Sequence, residues 1–310
     1  YYNFYYYNIL FYSFNKKGAI LFFKIMAYRE SADQVGVYSF SKISPWHLKN
    51  QDYFVAGPGY MAVMDGVSAP SSDNAARIVG EAIQKGRQDF QGFMSRAEVD
   101  AKTKEGRDQI IEFLYGVMAH AKEALDNHNN ANNPLGRRDR DEATTAVLTT
   151  VVKGSDKEYY LFSLNAGDSE SVVYREAEQI IERLNPFMHY TLDIEPNLQI
   201  EFDGQKVNGW RFGMDGEILP DRLDRDMADP GNCLQTRYDC ELVVTVIQVL
   251  PDDWIITSSD GLGDNVSYEE LEKFSKVSAN PQELVTVLST LKQKRKEDDV
   301  TVVVARVGDL

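Results

Sequence analysis

The 310-residue sequence is poor in cysteine and histidine, with two cysteines, Cys233 and Cys240, and four histidines. Two cysteines cannot form the disulfide scaffold of a small secreted domain. Six residues separate them, which does not match the spacing of a zinc ribbon. The scarcity of cysteine therefore indicates an intracellular, reducing environment, and we expect the cytoplasm.

Basic residues are also scarce, because 33 Lys and Arg stand against 48 Asp and Glu, which gives a formal net charge of -15. A chain this acidic repels phosphate backbones and anionic membranes, so we expect no nucleic-acid partner. No apolar run reaches the roughly 20 residues that a membrane span needs. With 43% apolar residues, the chain is long enough for one large globular domain, which we expect to be a monomer.

Residues 1–25 differ in composition from the rest of the chain. They begin with the aromatic and Asn-rich run "YYNFYYYNILFYSF", and the first methionine is Met26. The order of basic and apolar segments does not fit a signal peptide. We interpret residues 1–25 as a non-native leader and residues 26–310 as one domain. A short organelle-targeting or membrane-surface segment is the alternative.

The rest of the chain alternates between strand and helix patterns. "YFVAGPGYMAVMDG" predicts a hairpin with the two-residue loop Pro58-Gly59. Residues 72–90 and 105–127 have helical periodicity, and "SYEE" matches a capping box that begins another helix. Hairpin-linked strands with paired helices predict an α+β fold with a mostly antiparallel sheet. Residues 183–240, rich in Pro and Gly, are predicted to form an irregular, flap-like region.

Two acids meet in the predicted hairpin. If Pro58-Gly59 is the loop, Asp52 lies directly opposite Asp65, with Cα atoms about 4.5–5.5 Å apart. Carboxylates this close repel each other unless a proton or a cation lies between them. The neighbouring sequence supplies no basic partner, so a divalent cation is the simplest explanation. Carboxylate oxygens are ligands for Mg²⁺ and Mn²⁺.

Three more acids occupy comparable positions at strand ends or turns: Asp168, Asp260 and Asp298. Each alone is explained as well by turn chemistry. Five such acids in a chain with four histidines indicate an oxygen-ligated metal site rather than a zinc site.

Together these motifs resemble a known family. "NQD", "VMDGV", "TTAVL", "NAGDSES", "SSDGLGDN" and "DDVTVVV" occur in the order found in the metal-dependent protein phosphatases, type 2C, over about residues 32–308. The resemblance implies a four-layer α-β-β-α sandwich, in which helix pairs flank two antiparallel sheets. It also implies a phosphoserine/phosphothreonine phosphatase that acts on phosphoproteins through a metal-activated water.

The resemblance implies two main Mn²⁺ or Mg²⁺ ions. Asp65 would bridge them, and Gly66 would offer its carbonyl oxygen. Asp260 and Asp298 would bind the first ion, so Asp65, Asp260 and Asp298 are the expected catalytic residues. Asp52 would hold the second ion, largely through water.

A looser third ion is also implied by the resemblance, with Asp168 and Asp264 as its ligands beside Asp260. In this interpretation Asp260 and Asp264 are ligands, and the turn that they form is incidental. A metal-activated water needs no nucleophilic Cys or Ser.

The sequence departs from the best-known family pattern in three places. His47 stands where many members have a phosphate-binding Arg, and Val67 stands where a proposed general acid, His, often follows. The usual Gly-Ser/Thr-Thr-Ala motif begins here with Ala143. The phosphate-binding residue and the general acid therefore stay open among four candidates: Lys49, Arg137, Arg138 and His189.

Two other functions agree with parts of the sequence. A non-catalytic, phosphatase-like module that binds a phosphoprotein or a regulatory partner would explain the missing Arg and His. Retention of every metal-binding acid argues against it, because crowded carboxylates are costly. An aspartate-nucleophile hydrolase would need a second Asp at position 67, which is Val67.

Overall fold

The structure is a computed structural model that describes residues 7–14, 20–28, 37–43, 49–67, 72–94, 99–133, 141–184, 199–202, 205–208, 211–212, 218–219, 233–235, 240, 242–291 and 298–310. Its strands are β1 (Tyr7–Phe14), β2 (Ile20–Tyr28), β3 (Val37–Lys42), β4 (Tyr53–Gly57), β5 (Tyr60–Met64), β6 (Ala143–Thr144), β7 (Ala146–Lys153), β8 (Tyr159–Ala166), β9 (Glu170–Arg175), β10 (Ile180–Arg183), β11 (Gln199–Phe202), β12 (Gln205–Asn208), β13 (Arg211–Phe212), β14 (Ile218–Leu219), β15 (Leu234–Gln235), β16 (Val243–Val249), β17 (Trp254–Ser258) and β18 (Val300–Arg306). Its α-helices are α1 (Ser72–Met94), α2 (Lys104–Asn132), α3 (Asp260–Gly263), α4 (Tyr268–Val277) and α5 (Pro281–Thr290), and a 3-10 helix spans Val307–Asp309.

Two antiparallel sheets form the centre of the molecule. The seven-stranded sheet has the order β1-β2-β3-β18-β17-β9-β10, and the five-stranded sheet has the order β16-β8-β7-β5-β4. The predicted two-residue hairpin loop is confirmed, because Gly57 pairs with Tyr60 and Tyr53 pairs with Met64. The sequence-based expectation of a mostly antiparallel α+β fold is therefore correct.

Alternating side chains give each sheet two buried faces, and these define three layers of core. Met61 of β5 and Val303 of β18 belong to the cluster between the sheets. Met64 packs toward α1 and α2, and Val304 packs toward α4 and α5. Because strand side chains alternate between faces, both sheets must be covered on their outer sides. The α-β-β-α sandwich that the resemblance implied is confirmed.

The helices begin where the sequence predicts, although two of them extend further. The Ser267–Glu270 capping box at the start of α4 is present, and Asn280 caps α5 with Pro281 as its first residue. The predicted helices 72–90 and 105–127 extend to 72–94 and 104–132, since boundaries are less well encoded than periodicity. Among the described residues, no helix combines the length and apolar character needed to cross a membrane.

The segment interpreted as a leader contributes strands to the seven-stranded sheet. β1 pairs with β2, and β2 pairs with β3. The predicted boundary between residues 25 and 26 falls inside β2. These two strands lie at one edge of the sheet, so the acid-bearing strands β5, β17 and β18 do not pair with them.

We expect a chain that begins at Met26 to keep the activity of the full chain. It would lose β1 and most of β2, but β18 would keep both of its neighbours, β17 and β3. Thermal melts and rate measurements on the two chains side by side test this. A large loss of melting temperature or of rate in the shorter chain would show that the edge strands are part of the folding unit.

Much of the region 183–240 lies outside the described residues. Asp203 and Asp215, each followed by a glycine, are among the residues that are not described. The described parts form the hairpins β11–β12 and β13–β14, and β15 pairs with β6. A role for this region as a flap stays a prediction.

Candidate metal centre

Each of the two sheets has acidic residues just beyond the ends of neighbouring strands. Asp52 precedes β4 and Asp65 follows β5, so the two residues continue the hairpin register beyond the Tyr53–Met64 pair, as predicted. In the other sheet, Asp260 follows β17 and Asp298 precedes β18. These two strands are antiparallel neighbours with Ser258 opposite Val302. Both acids therefore lie on the same side of the sheet, where β17 ends and β18 begins.

Three carboxylates form a close group. Oxygen atoms of Asp260, Asp264 and Asp298 all lie within 4.8 Å of one another. Helix α3 is a single turn, in which the Asp264 N–H donates to the Asp260 carbonyl oxygen at 2.8 Å. Residues four apart share one helical face, where like charges destabilise the helix. The arrangement is therefore unfavourable without a neutralising partner.

Close packing at Gly261 brings this helical turn against the start of β18. A Cβ atom at Gly261 would lie 2.0 Å from the carbonyl oxygen of Asp299, so no larger residue fits. The Asp-Gly pair is thus required for packing as well as for the acid that precedes it. This contact places Asp298 beside the carboxylates of α3.

The pKa values of Asp52 and Asp65 are both raised, because the two side chains are buried and lie near other carboxylates. Burial, and then the charge of Asp299, raise the pKa of Asp52 to about 8, against the hydrogen bonds from Ser259 and Thr301. Burial also raises the pKa of Asp65 well above its ordinary value, followed by the charges of Asp52 and Asp260. The largest charged contributions come from other carboxylates, so the site favours a bound cation.

The backbone around Asp65 is held by the "TTA" motif. The Thr144 hydroxyl and the Thr145 N–H both donate to the Asp65 carbonyl oxygen at 2.8 Å. The Asp65 N–H donates to the Thr145 hydroxyl at 3.3 Å, and Gly66 pairs with Thr144. The motif that the sequence analysis recognised therefore fixes the backbone position of Asp65 and Gly66.

The turn that carries Asp168 packs against the same threonine. Gly167 has φ +98°, and a Cβ there would lie 2.7 Å from the Thr145 Cβ. The hydroxyl oxygens of Ser169 and Thr145 are 2.6 Å apart. Asp168 also contributes to the raised pKa of Asp65, as the smallest of the three charges. Among the described residues, the close carboxylate group does not include Asp168.

The donor set fits a hard divalent cation. The Oδ1 atom of Asp52 is buried and has no hydrogen-bond partner among the described residues, while its Oδ2 atom accepts from the Ser259 hydroxyl at 2.8 Å. Such an oxygen is an acceptor for an ion or for the water bound to it. Carboxylate oxygens without His or Cys match Mg²⁺ or Mn²⁺ rather than zinc.

The structure adds two residues that the sequence analysis did not identify, Ser259 and Asp299. Ser259 directly precedes Asp260, at the N-cap position that a Ser-Asp-Gly sequence suggests. Asp299 is buried and follows Asp298 in "EDDV". Of the open phosphate-binding candidates, Lys49 is exposed, and the other candidates lie outside the described residues together with His47.

Solved structures with this architecture include several serine/threonine phosphatases. The catalytic domain of the serine/threonine protein phosphatase PstP, in complex with two manganese ions, matches with TM-score 0.59 and 18% identity, over 87% of this chain and 96% of that chain. The PPM Ser-Thr phosphatase MsPP from Mycobacterium smegmatis, in complex with cacodylate, matches with TM-score 0.55 and 20% identity, over 89% and 99% of the chains. The S. agalactiae serine/threonine phosphatase matches with TM-score 0.54 and 16% identity, over 87% and 98%.

The likeness to these structures extends over most of both chains and shows that this protein has the fold of the PPM-type phosphatases. The fold expected from the sequence resemblance is thereby confirmed. A scan against models of protein families gives no match, and a search of curated proteins gives none either.

Proposed function

We propose that this protein is a metal-dependent serine/threonine phosphatase that hydrolyses phosphoserine and phosphothreonine in phosphoproteins. The observation that carries the proposal is the carboxylate centre, where Asp260, Asp264 and Asp298 lie within 4.8 Å of one another. Asp52 and Asp65, with raised pKa values, complete it. The PPM-type fold and the manganese-bound PstP structure support the same chemistry.

The residues of the centre divide between two Mn²⁺ or Mg²⁺ ions in this proposal. Asp65 would hold both ions and Gly66 would offer its carbonyl oxygen, while Asp260 and Asp298 would hold the first ion. Asp52 would hold the second ion through water, which suits its buried Oδ1 atom, an oxygen with no hydrogen-bond partner among the described residues. When bound, the ions lower the pKa of a shared water toward neutrality and so supply the nucleophile.

The chain itself contributes position and charge. Thr144 and Thr145 fix the backbone of Asp65 through hydrogen bonds of 2.8 Å, so the bridging carboxylate is held before substrate arrives. Without cations, this group of acids would repel a phosphate dianion. The proposal therefore requires metal for substrate binding as well as for the reaction.

A carboxylate oxygen of Asp264 lies within 4.8 Å of one of Asp298, which is close enough for both to bind the same ion. We nevertheless assign Asp264 with Asp168 to a weaker third ion, as the resemblance implies. The contact between Ser169 and Thr145 brings the Asp168 turn against the Asp65 loop, so Asp168 lies near the proposed centre.

Phosphate release from a phosphothreonine peptide with Mn²⁺ tests the proposed function. We expect release that stops with EDTA and returns when excess Mn²⁺ is added. The alternative, a phosphatase-like module that binds phosphoproteins, is favoured by Val67, where a proposed general-acid His often stands in the family, and by His47, where many members have a phosphate-binding Arg. Stoichiometric peptide binding without any phosphate release would support that alternative and contradict the proposal.

Replacing Asp168 by alanine is expected to leave two ions bound and to slow turnover. Its charge is the smallest carboxylate contribution to the Asp65 environment, so the main pair should persist. We expect a loss of roughly tenfold, or about 1.4 kcal/mol of transition-state stabilisation. Calorimetric titration with Mn²⁺ and steady-state rates measure the two effects.

Asp108→Ala is the control for this substitution, because Asp108 is exposed on α2. It should change neither the ion stoichiometry nor the rate. Complete loss of Mn²⁺ binding in Asp168→Ala would place Asp168 among the ligands of the main pair.

A further inference from the structure

The short segment 50–52 precedes β4 of the five-stranded sheet, yet its hydrogen bonds go to the other sheet. The Asn50 side-chain amide donates to the Ser41 hydroxyl of β3. The Gln51 N–H donates to the Asp299 carboxylate at 2.7 Å. Asp52 accepts from Ser259, which directly follows β17. The seven-stranded sheet therefore positions an acid that belongs to its partner sheet.

The Ser259 hydroxyl has two partners and is fully buried. Ser259 occupies the N-cap position of α3, where a serine hydroxyl usually accepts from an N–H of the first turn, but it makes no such bond. It accepts instead from the Thr301 N–H at 2.9 Å and donates to Asp52 Oδ2 at 2.8 Å. The Thr301 N–H of β18 donates to the hydroxyl oxygen, so the hydroxyl hydrogen of Ser259 is directed at Asp52.

This hydrogen bond holds Oδ2 of the Asp52 carboxylate, which also has a side-chain hydrogen bond with Thr301. The terminal torsion of an aspartate is broad, so the side chain does not choose one orientation by itself. The Asp52 N–H donates to the Asn50 side-chain oxygen at 2.7 Å, which fixes the backbone. With Oδ2 held by Ser259, Oδ1 is the atom without a hydrogen-bond partner among the described residues.

We propose that Ser259 is a positioning residue for the second ion, because it holds the Asp52 carboxylate so that Oδ1 faces that ion or its water. This inference rests on the proposed function and extends it. Ser259 directly precedes Asp260, a ligand of the first ion, so two adjacent residues link the two ion sites. The spacing of the sites is then set across the interface between the sheets.

Ser259→Ala in the full chain tests the inference through Mn²⁺ calorimetry, without reference to activity. We expect one of the two tight binding steps, those of the main ions, to weaken by about tenfold or more and the other tight step to stay within about twofold. Ser171→Ala is the matched control. The Ser171 hydroxyl also bridges the two sheets, at 2.7 Å from Thr149 and 2.8 Å from Thr257, but contacts no proposed ligand.

Both variants lose a buried hydroxyl, so both should lower the melting temperature of the metal-free protein. Only Ser259→Ala should change the Mn²⁺ isotherm. A double-mutant cycle with Asp52→Asn distinguishes an effect of Ser259 on the Asp52 carboxylate from a general loosening of the fold around the ion sites. If Ser259 acts through Asp52, Ser259→Ala has no further effect on Mn²⁺ binding in the Asp52→Asn background. Additive effects would overturn the inference.

If Ser259→Ala does not fold, Ser259→Cys replaces it, because a thiol nearly fills the same space but donates weakly. The same weakening of one step is expected. A wild-type chain that binds no Mn²⁺ would contradict the proposed function itself. A wild-type chain that binds two ions, with an unchanged isotherm in the Ser259 variant, would overturn only the positioning role.

Discussion

Asp65→Asn is expected to abolish most phosphothreonine hydrolysis, with a loss of about 100-fold or more at saturating Mn²⁺. The substitution keeps the shape of the side chain but removes the charge that would bridge both ions. Electrostatic stabilisation by a catalytic metal is worth several kcal/mol, and each 1.36 kcal/mol corresponds to a factor of ten in rate. The steady-state rate on a phosphothreonine peptide, measured across a range of Mn²⁺ concentrations, gives the loss.

Loss of folding should not explain this effect. The backbone of Asp65 is held by Thr144 and Thr145, and those bonds do not involve its side chain. Removing a buried carboxylate whose pKa is raised should leave the metal-free protein at least as stable as before. A melting temperature in EDTA equal to or above that of the wild type is therefore expected.

The exposed helix residue Asp108 supplies the matched control, since Asp108→Asn makes the same change of charge away from the centre. Its rate should equal that of the wild type. If Asp65→Asn and Asp260→Asn both hydrolyse the peptide at the wild-type rate, the metal centre assigned here is wrong.

The parts of this site that the sequence predicted are those set by local geometry. A two-residue loop at Pro58-Gly59 fixes the hairpin register, and the register alone places Asp52 opposite Asp65. The capping box likewise located the start of α4, because a cap is satisfied within one helical turn. The sandwich itself was expected from the ordered motifs of the family.

Contacts between distant segments could not be predicted in this way. Ser259 and Asp52 are 207 residues apart, and no periodicity indicates that their side chains meet. The nearness of Asp264 to Asp298 depends on how closely Gly261 approaches the Asp299 carbonyl oxygen. Both features arise only when the two sheets and α3 are packed together.

In the N-terminal segment, composition alone does not distinguish a leader from strands of the fold. Its aromatic runs differ from the rest of the chain and were interpreted as a leader. Aromatic and β-branched residues are also typical of strands, and the structure places Tyr7–Phe14 and Ile20–Tyr28 in the sheet. Unusual composition and strand formation are thus compatible, and the truncation experiment decides whether the fold needs these strands.

Metal removal is expected to destabilise the protein, and more strongly as the pH rises. At a free Mn²⁺ concentration 100-fold above the dissociation constant, binding contributes roughly 2.7 kcal/mol to the free energy of unfolding. For a domain of this size, each kcal/mol shifts the melting temperature by about 2–4 °C. EDTA should therefore lower the melting temperature by about 5–10 °C as well as stop turnover.

The pH dependence follows from the raised pKa of Asp52, about 8 in the folded protein against an ordinary value of 3.8. Between these values the folded state holds a proton that the unfolded chain has released, so the metal-free protein loses stability as the pH rises from about 4 to about 8. Asp65, whose pKa is also raised, acts in the same direction. Cations replace these protons, so the stabilisation that they provide should grow over the same range.

Thermal melts at several pH values, each with EDTA and with excess Mn²⁺, measure both effects. Asp52→Asn removes this carboxylate and also moves the pKa of Asp65 back toward its ordinary value, because the charge of Asp52 is the largest charged cause of that raised pKa. In EDTA, the variant should lose less stability with rising pH than the wild type does. If the melting temperature in EDTA instead changes with pH by the same amount in both proteins, burial and the neighbouring charges do not raise the pKa of Asp52. The crowded acids at this end of the sandwich would then have no electrostatic need for a cation.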